Sequence, residues 1–395
     1  MKQAEKRSIP MSSPDLTQLE RDAVAEVMRT KWLAMGPQIR GFEEEIAAYV
    51  GVKHAIAVSS GTTGLHLCIR AADVGVHDLV LTTPFSFISS SNVILFEHAI
   101  PVFVDVDPVS GNIDPAMAEA AVEDIAAGGS RAERWLPGKG AASPGPLKAM
   151  LPIDVFGQPA DYDVLARLAR EHQLAMIEDS CEALGSTYKG RMAGTFGDAG
   201  VFAFYPNKQM TTGEGGIVVT DRDDWASSIR SLCNQGRAPN DTWLEHTFLG
   251  YNYRMTEMSA ALGRAQLSRL DELMGKREHV AAWYSARLKG MDAVSTLGIL
   301  PSTSHMSWFV YVIRFAEHID RTAVMATLQE CGVPSRPYFS PIHLQPYFRS
   351  TFGYKPGDFP VTEMLGERNL AIPFSSVMSE DDVDYVCQAL SESLK

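Results

Sequence analysis

Between residues 54 and 220, short and continuously apolar runs alternate with stretches of helical periodicity, and this rhythm constrains the fold more than any other feature. The strand-like runs are 54–59, 78–82, 100–106, 149–155, 174–178, 200–205 and 216–220, and helical stretches at 63–72, 90–97, 115–126 and 162–172 separate several of them. A strand with one face in water alternates apolar and polar residues. A run that is apolar throughout is buried on both faces, which crossover helices achieve over a parallel sheet. The expectation is an α/β chain whose mostly parallel seven-stranded sheet is flanked by helices.

Two helices precede this region. Thr17-Gln18-Leu19-Glu20 reads as a capping box ahead of Leu19, Ala23, Val24, Val27 and Met28 at helical spacing, and a second helix runs from Pro37 to Val50 with Gly51 as its stop. Residues 126–148, rich in Gly, Ala, Ser and Pro, break the rhythm and read as a surface excursion. From about Met255 the pattern changes to one long helix reaching Lys289. A strand-like stretch (307–315), a helix (321–330), a Pro-rich passage (334–346) and a terminal helix opening on Ser379-Glu380-Asp381-Asp382 follow it. The expected domains are therefore 1–254, a large α/β unit with N-terminal helices, and 255–395, a long linking helix with a smaller α+β unit.

Composition excludes several classes. A formal net charge of −13 over 395 residues has the wrong sign for a surface that replaces phosphate counterions, so nucleic acid is not an expected partner. The five cysteines (Cys68, Cys181, Cys233, Cys331, Cys387) are scattered and never form C-x-x-C, which fits reduced thiols in a cytoplasmic protein. Met1-Lys2-Gln3-Ala4-Glu5-Lys6-Arg7 has no apolar signal core behind it, and no apolar run approaches the roughly 20 residues that span a bilayer. Dispersed histidines and the lack of H-E-x-x-H give no support for a metal site.

Three segments follow predicted strands at the edge where parallel α/β sheets bind ligands. In Ser59-Ser60-Gly61-Thr62-Thr63-Gly64 the glycine permits a sharp turn, and free N–H groups at the helix start suit a phosphate, although such a turn is more commonly only a cap. In Ile177-Glu178-Asp179-Ser180-Cys181-Glu182, Asp179 can face a pocket with Glu182 three residues on, or simply cap the next turn. In Phe204-Tyr205-Pro206-Asn207-Lys208-Gln209, a lysine sits in a turn between apolar strands, where partial desolvation would favour a nucleophilic amine. Each signal is weak alone. In order, with Phe85-Ser86-Phe87 between the first two, they supply what pyridoxal phosphate needs: a phosphate cradle, an aromatic lid, a carboxylate for the ring nitrogen and an amine for the aldehyde.

At these residues the chain resembles the DegT/StrS-type family of sugar aminotransferases, a branch of the fold-type-I pyridoxal phosphate enzymes. The resemblance covers nearly the whole chain. It runs through Lys31-Trp32-Leu33 with Gly36-Pro37, Ser59-Ser60-Gly61-Thr62, Gly157-Gln158-Pro159-Ala160-Asp161, Glu178-Asp179, and Lys208 with Thr211-Thr212-Gly213-Glu214-Gly215-Gly216. Gly250-Tyr251-Asn252-Tyr253-Arg254-Met255 and Pro341-Ile342-His343-Leu344-Gln345-Pro346 complete it.

The resemblance implies that Lys208 is the Schiff-base lysine and that Asp179 pairs with the pyridinium nitrogen. Glu182, where the family often has Gln, would face the ring's phenolic oxygen, and Phe87 would stack on the ring. Gly61, Thr62 and Thr63 would cradle the phosphate. Asn252 would reach the phosphate of a neighbouring subunit, which implies a homodimer with composite active sites. Ala203 departs from a serine that the family often uses as a phosphate ligand. The implied reaction moves an amino group from L-glutamate or L-glutamine, through pyridoxamine phosphate, to a nucleotide-linked 3- or 4-keto-6-deoxysugar in polysaccharide or amino-sugar biosynthesis. A cyclitol aminotransferase would use the same site, and a non-catalytic regulatory relative would retain the cofactor without turnover. Relatives that dehydrate instead carry His at the lysine, which Lys208 argues against.

Overall fold

The computed structural model describes residues 7–141, 143–237 and 245–395; Met1 to Lys6, part of the stretch read for a signal core, lie outside them. All seven expected strands form: β1 (His54–Val58), β2 (Leu79–Thr82), β3 (Ile100–Phe103), β4 (Leu147–Met150), β5 (Ala175–Asp179), β6 (Ala199–Ala203) and β7 (Gly216–Thr220). They make one sheet in the order β1-β7-β6-β5-β4-β2-β3. The run from β3 to β6 is parallel, and β7 reverses to pair antiparallel with β6 and β1. Every residue of β2, β3 and β7 is buried, as continuous apolar runs require.

Several strands stop earlier than the apolar runs suggest, and the residues past their ends build the site. The run 149–155 leaves the ladder after Met150 because Pro152 has no N–H to donate; its carbonyl still accepts the Asp179 N–H at 2.9 Å. The run 200–205 ends at Ala203, and Phe204 instead bonds to Gly215 and Thr212.

Helix α1 (Gln18–Thr30) starts with the expected Thr17–Glu20 capping box, and α2 (Pro37–Val50) stops at Gly51, whose φ is 84°. The helices Tyr162–His172 and Arg321–Glu330 form over the residues their periodicity marks. The last helix, Glu380–Ser393, is capped by Ser379 and buries Val383, Val386, Cys387 and Leu390. No helix among the described residues is long and apolar enough to cross a membrane.

Beyond residue 290 a second, antiparallel sheet joins Val294–Thr296, Tyr311–Phe315, Asn369–Ile372 and Arg336–Pro337. Its core includes Tyr284, Leu288, Ile313, Leu328, Leu370 and Val386, and Ile9 from the chain's start packs into it. Ile9 N–H donates to Gly332 O at 3.1 Å, and Phe374 N–H to Met11 O at 3.0 Å.

The single long linking helix expected from Met255 to Lys289 is not there. Two helices, Glu257–Leu267 and Leu270–Leu288, meet at a break where Arg269 has φ −112° and ψ 7°. Arg269 is held by Asp15 at 2.9 Å and Glu20 at 2.7 Å, and the break lets the first helix face α1 and α2 while the second faces the other sheet's core.

One glycine makes the two sheets' segments meet. Gly157 has φ 94°, and a Cβ there would lie 1.7 Å from Ser307 O. Gly157→Ala combines a left-handed backbone with a backbone clash, so it should destabilise the chain by about 3 kcal/mol. Urea denaturation of this variant checks it, read as a lower midpoint at unchanged slope.

Candidate active site

Residues past the ends of β5 and β6 converge. Asp179, the last residue of β5, is buried and accepts a bond from the Cys181 N–H at 3.3 Å. Burial raises its pKa, which the bond from Cys181 and the charge of Lys208 partly offset. Glu182, one turn further, is buried with Oε2 accepting the Phe156 N–H at 2.9 Å. Its Oε1 lies 3.4 Å from Lys208 Nζ, and burial raises the Glu182 pKa against the pull of Lys208.

Lys208 sits in the turn after β6, its N–H donating to Tyr205 O at 2.9 Å. Its ammonium also lies 3.9 Å from the centre of the Phe309 ring, so a carboxylate and a π face hold it together. The next residue anchors the turn: Gln209 Nε2 donates to Glu182 O at 2.5 Å and to Ser307 Oγ at 2.7 Å. Ser307 Oγ in turn donates to Leu184 O at 2.6 Å.

The helix expected at 63–72 starts two residues earlier, as α3 (Gly61–Ala71), with Ser60 as its cap. Gly61 does not adopt a left-handed turn. Its value is closeness: a Cβ there would lie 2.8 Å from both Ala203 Cβ and Cys181 Sγ, so the bare glycine seats the helix start against β6 and the Asp179 segment. Thr63 is occupied with capping, its N–H on Ser60 Oγ at 3.2 Å and its hydroxyl on Ser60 O at 2.8 Å. Thr62 turns its hydroxyl to Ser89 Oγ at 2.9 Å, joining α3 to the segment after Phe87.

Phe87 is exposed and lines a cavity of about 410 Å³ with Phe339, Tyr347 and Gln345. Asn252 is also exposed, on a loop whose Tyr251 and Tyr253 rings stack at 4.8 Å and bond to Glu97 and His66. Of the Pro-rich passage, His343 is fully buried against Phe359 and bonded to Glu363 at 3.0 Å, which is packing; of the aromatic cluster around it, Phe339 and Tyr347 line the cavity beside Phe87.

Phe309, Ser307, Gln209 and Arg277 carry the geometry around Lys208; Gln209 lies in the lysine segment without a role assigned to it, and the other three are absent from the motifs. Of those three, Arg277 leaves a trace in the sequence. It is a charged residue on the buried stripe Leu270, Leu273, Met274, Arg277, Val280, Ala281 and Tyr284.

The charges bear on what this place can hold. Asp179 and Glu182 are two buried carboxyls beside one lysine; burial disfavours their charged forms, and a protonated ring nitrogen at Asp179 would favour its carboxylate again. The first-turn N–H groups of α3, opened by Gly61, suit a phosphate dianion. These residues fit pyridoxal phosphate.

An amine and acidic partners at the carboxyl edge of such a sheet define a fold-type-I pyridoxal phosphate-dependent aminotransferase. Within that class the chain belongs to the DegT/DnrJ/EryC1/StrS aminotransferase family, whose sequence profile matches residues 14–391. It is 36% identical over 389 residues to the GDP-perosamine synthase of Caulobacter vibrioides, covering 98% of each chain. The spore coat polysaccharide biosynthesis protein SpsC of Bacillus subtilis is 35% identical over 408 residues, covering 100% of this chain and 99% of that one. Among solved structures, Helicobacter pylori PseC, an aminotransferase involved in pseudoaminic acid biosynthesis, superposes with a TM-score of 0.87 at 26% identity, covering 98% of this chain and 99% of its own.

Behind Asp179, the fully buried Glu178 accepts N–H bonds from Gly194, Phe196 and Gly197, yet burial raises its pKa to about 8, aided by nearby Asp154. A carboxyl raised on folding contributes fully below its unfolded value and loses that contribution as pH rises through its folded one. Buried His66 and His343, whose pKa burial lowers, act in the opposite direction and are complete by neutral pH. Stability of the cofactor-free protein should therefore fall between about pH 7 and pH 8.5 and be flatter in Glu178→Gln. Urea midpoints that stay level or rise over that range in the wild type would refute the assignment.

Proposed function

We propose that the chain transfers the amino group of L-glutamate or L-glutamine to a nucleotide-linked 3- or 4-keto-6-deoxysugar, in amino-sugar or polysaccharide biosynthesis. The observation that carries this reading is the buried meeting of Lys208, Glu182 and Asp179 at the sheet edge. The names of the relatives, a perosamine synthase and a pseudoaminic acid aminotransferase, support a sugar acceptor.

When bound, pyridoxal phosphate supplies an aldehyde to carry the amino group and a ring that draws electrons from the bond being broken. Asp179 holds a proton on the ring nitrogen, since a buried carboxylate favours a cation beside it. Lys208 holds the cofactor between turnovers. Its amine would be the general base that moves the proton of the donor's α-carbon. Glu182, fixed by the Phe156 N–H, lies within reach of that amine and faces the phenolic oxygen. Phe87 covers the ring, and the cavity beside it, with Phe339 and Tyr347, takes the sugar. Gly61 and the N–H of Thr62 would hold the phosphate, Thr63 being taken up with capping, with Asn252 of a second copy completing the cradle in a homodimer. Ala203 adds no hydroxyl there, so the α3 backbone bears more of the phosphate's charge. The scattered cysteines fit work in the reducing cytoplasm.

The test is the donor half-reaction. L-Glutamate should convert the protein-bound cofactor spectrum to that of its amine form, and a panel of nucleotide ketosugars should then restore it, giving a product of matching mass. Lys208→Ala should lose the conversion by more than about a thousandfold, the scale of a general base combined with a covalent anchor. Cofactor binding without conversion by any amino acid would contradict an aminotransferase, and conversion restored only by a cyclitol ketone would replace the sugar acceptor.

A further inference from the structure

Arg277 is fully buried, yet among the described residues no carboxylate pairs with it. Its guanidinium is bound by main-chain carbonyls from two separate segments. Nη2 donates to Lys208 O at 2.6 Å and Asn207 O at 3.3 Å; Nη1 donates to Phe309 O at 3.2 Å and Trp308 O at 3.3 Å. The Phe374 ring covers it at 5.6 Å. Burial lowers its pKa only to about 10, so it remains a cation at neutral pH.

The two segments it joins are the ones that meet at the amine. Phe309, whose carbonyl binds one arm of the fork, also places its ring 3.9 Å from Lys208 Nζ. A guanidinium with no carboxylate partner is costly to desolvate in a core, and a leucine would fill a stripe position between Met274 and Val280 without that cost. What a leucine cannot do is donate in two directions from one rigid plane. A lysine, with one flexible point charge, cannot hold both segments in register either.

We propose that Arg277 is a positioning residue for Lys208: it clamps the lysine's main chain to that of Phe309, so that the amine is presented to the cofactor's aldehyde at a fixed place. This rests on the reading of Lys208 as the cofactor's anchor. The clamp works through the backbone, and Arg277 itself touches neither substrate nor cofactor.

The experiment titrates the full-length wild type, Arg277→Lys and Arg277→Met with pyridoxal phosphate. After borohydride reduction, the fraction of cofactor fixed on Lys208 is read by peptide mass. The pH midpoint of the bound cofactor's absorbance and the melting temperature of the cofactor-free proteins are read in parallel. Losing one charged hydrogen-bonding fork should raise the cofactor concentration for half-maximal fixation about tenfold or more in both variants and displace the pH midpoint. Because Arg277→Lys keeps the charge, an equal effect in both variants marks geometry as the cause. Should Arg277→Met fail to fold, Arg277→Lys and Phe309→Leu decide the matter, since Phe309→Leu removes the ring and leaves the clamp's carbonyl. Under the clamp, Phe309→Leu shifts fixation and midpoint in the same direction as Arg277→Lys. Variants with a lower melting temperature but wild-type fixation and midpoint would overturn the proposal and leave Arg277 a structural residue. Failure of the wild type to fix cofactor on Lys208 would overturn the Lys208 reading instead.

Discussion

Two buried carboxyls and one ammonium share the end of β5, and the rest of the site follows from that imbalance. Glu182 and Asp179 are both drawn out of water, and Lys208 is the cation that faces them. Removing charge from water costs several kcal/mol per ion unless a partner compensates. Lys208 offsets part of that cost for both carboxyls, and on the proposed reading a cation from outside would offset the rest at Asp179. A protonated pyridine ring is such a cation. On the proposed reading, the charge that binds the cofactor would also keep its ring nitrogen protonated, so affinity and reactivity would share one origin.

Holding this arrangement requires the chain to bring distant segments very close. Gly157 abuts Ser307, Gln209 bonds to both Glu182 O and Ser307 Oγ, and Gly61 lets α3 press on Ala203 and Cys181. Arg277 ties the lysine turn to Phe309 from the other side. The segments come from the seven-stranded sheet, the loop at 306–310 and the helix Leu270–Leu288. The site lies where these segments meet.

Much of this was legible in the sequence, for physical reasons. A strand buried on both faces must be apolar throughout, so all seven sheet strands announced themselves. Capping chemistry is local, and Thr17, Gly51 and Ser379 mark their helix ends correctly. Lys208, Asp179 and Glu182 were recognisable together because their segments close two strands at one edge of the sheet and match the family's motifs in order. What stayed hidden depends on contacts between segments far apart in the chain. The break at Arg269 follows from its pairing with Asp15 and Glu20, more than 240 residues earlier. Gly61 looked like a turn former, but its role is set by Ala203, which only the folded chain brings near. Thr63 looked like a phosphate ligand, yet its side chain and N–H cap the helix. Phe309 carries no motif at all.

The most direct test of the charge imbalance is the ionisation of the bound ring. Wild-type protein loaded with pyridoxal phosphate labelled with nitrogen-15 in the ring should show the resonance of a protonated pyridine nitrogen at neutral and mildly alkaline pH, and Asp179→Asn should move it to the neutral position. A neutral ring nitrogen in the wild type at neutral pH would contradict the pairing with Asp179 and, with it, the account of why this site binds its cofactor.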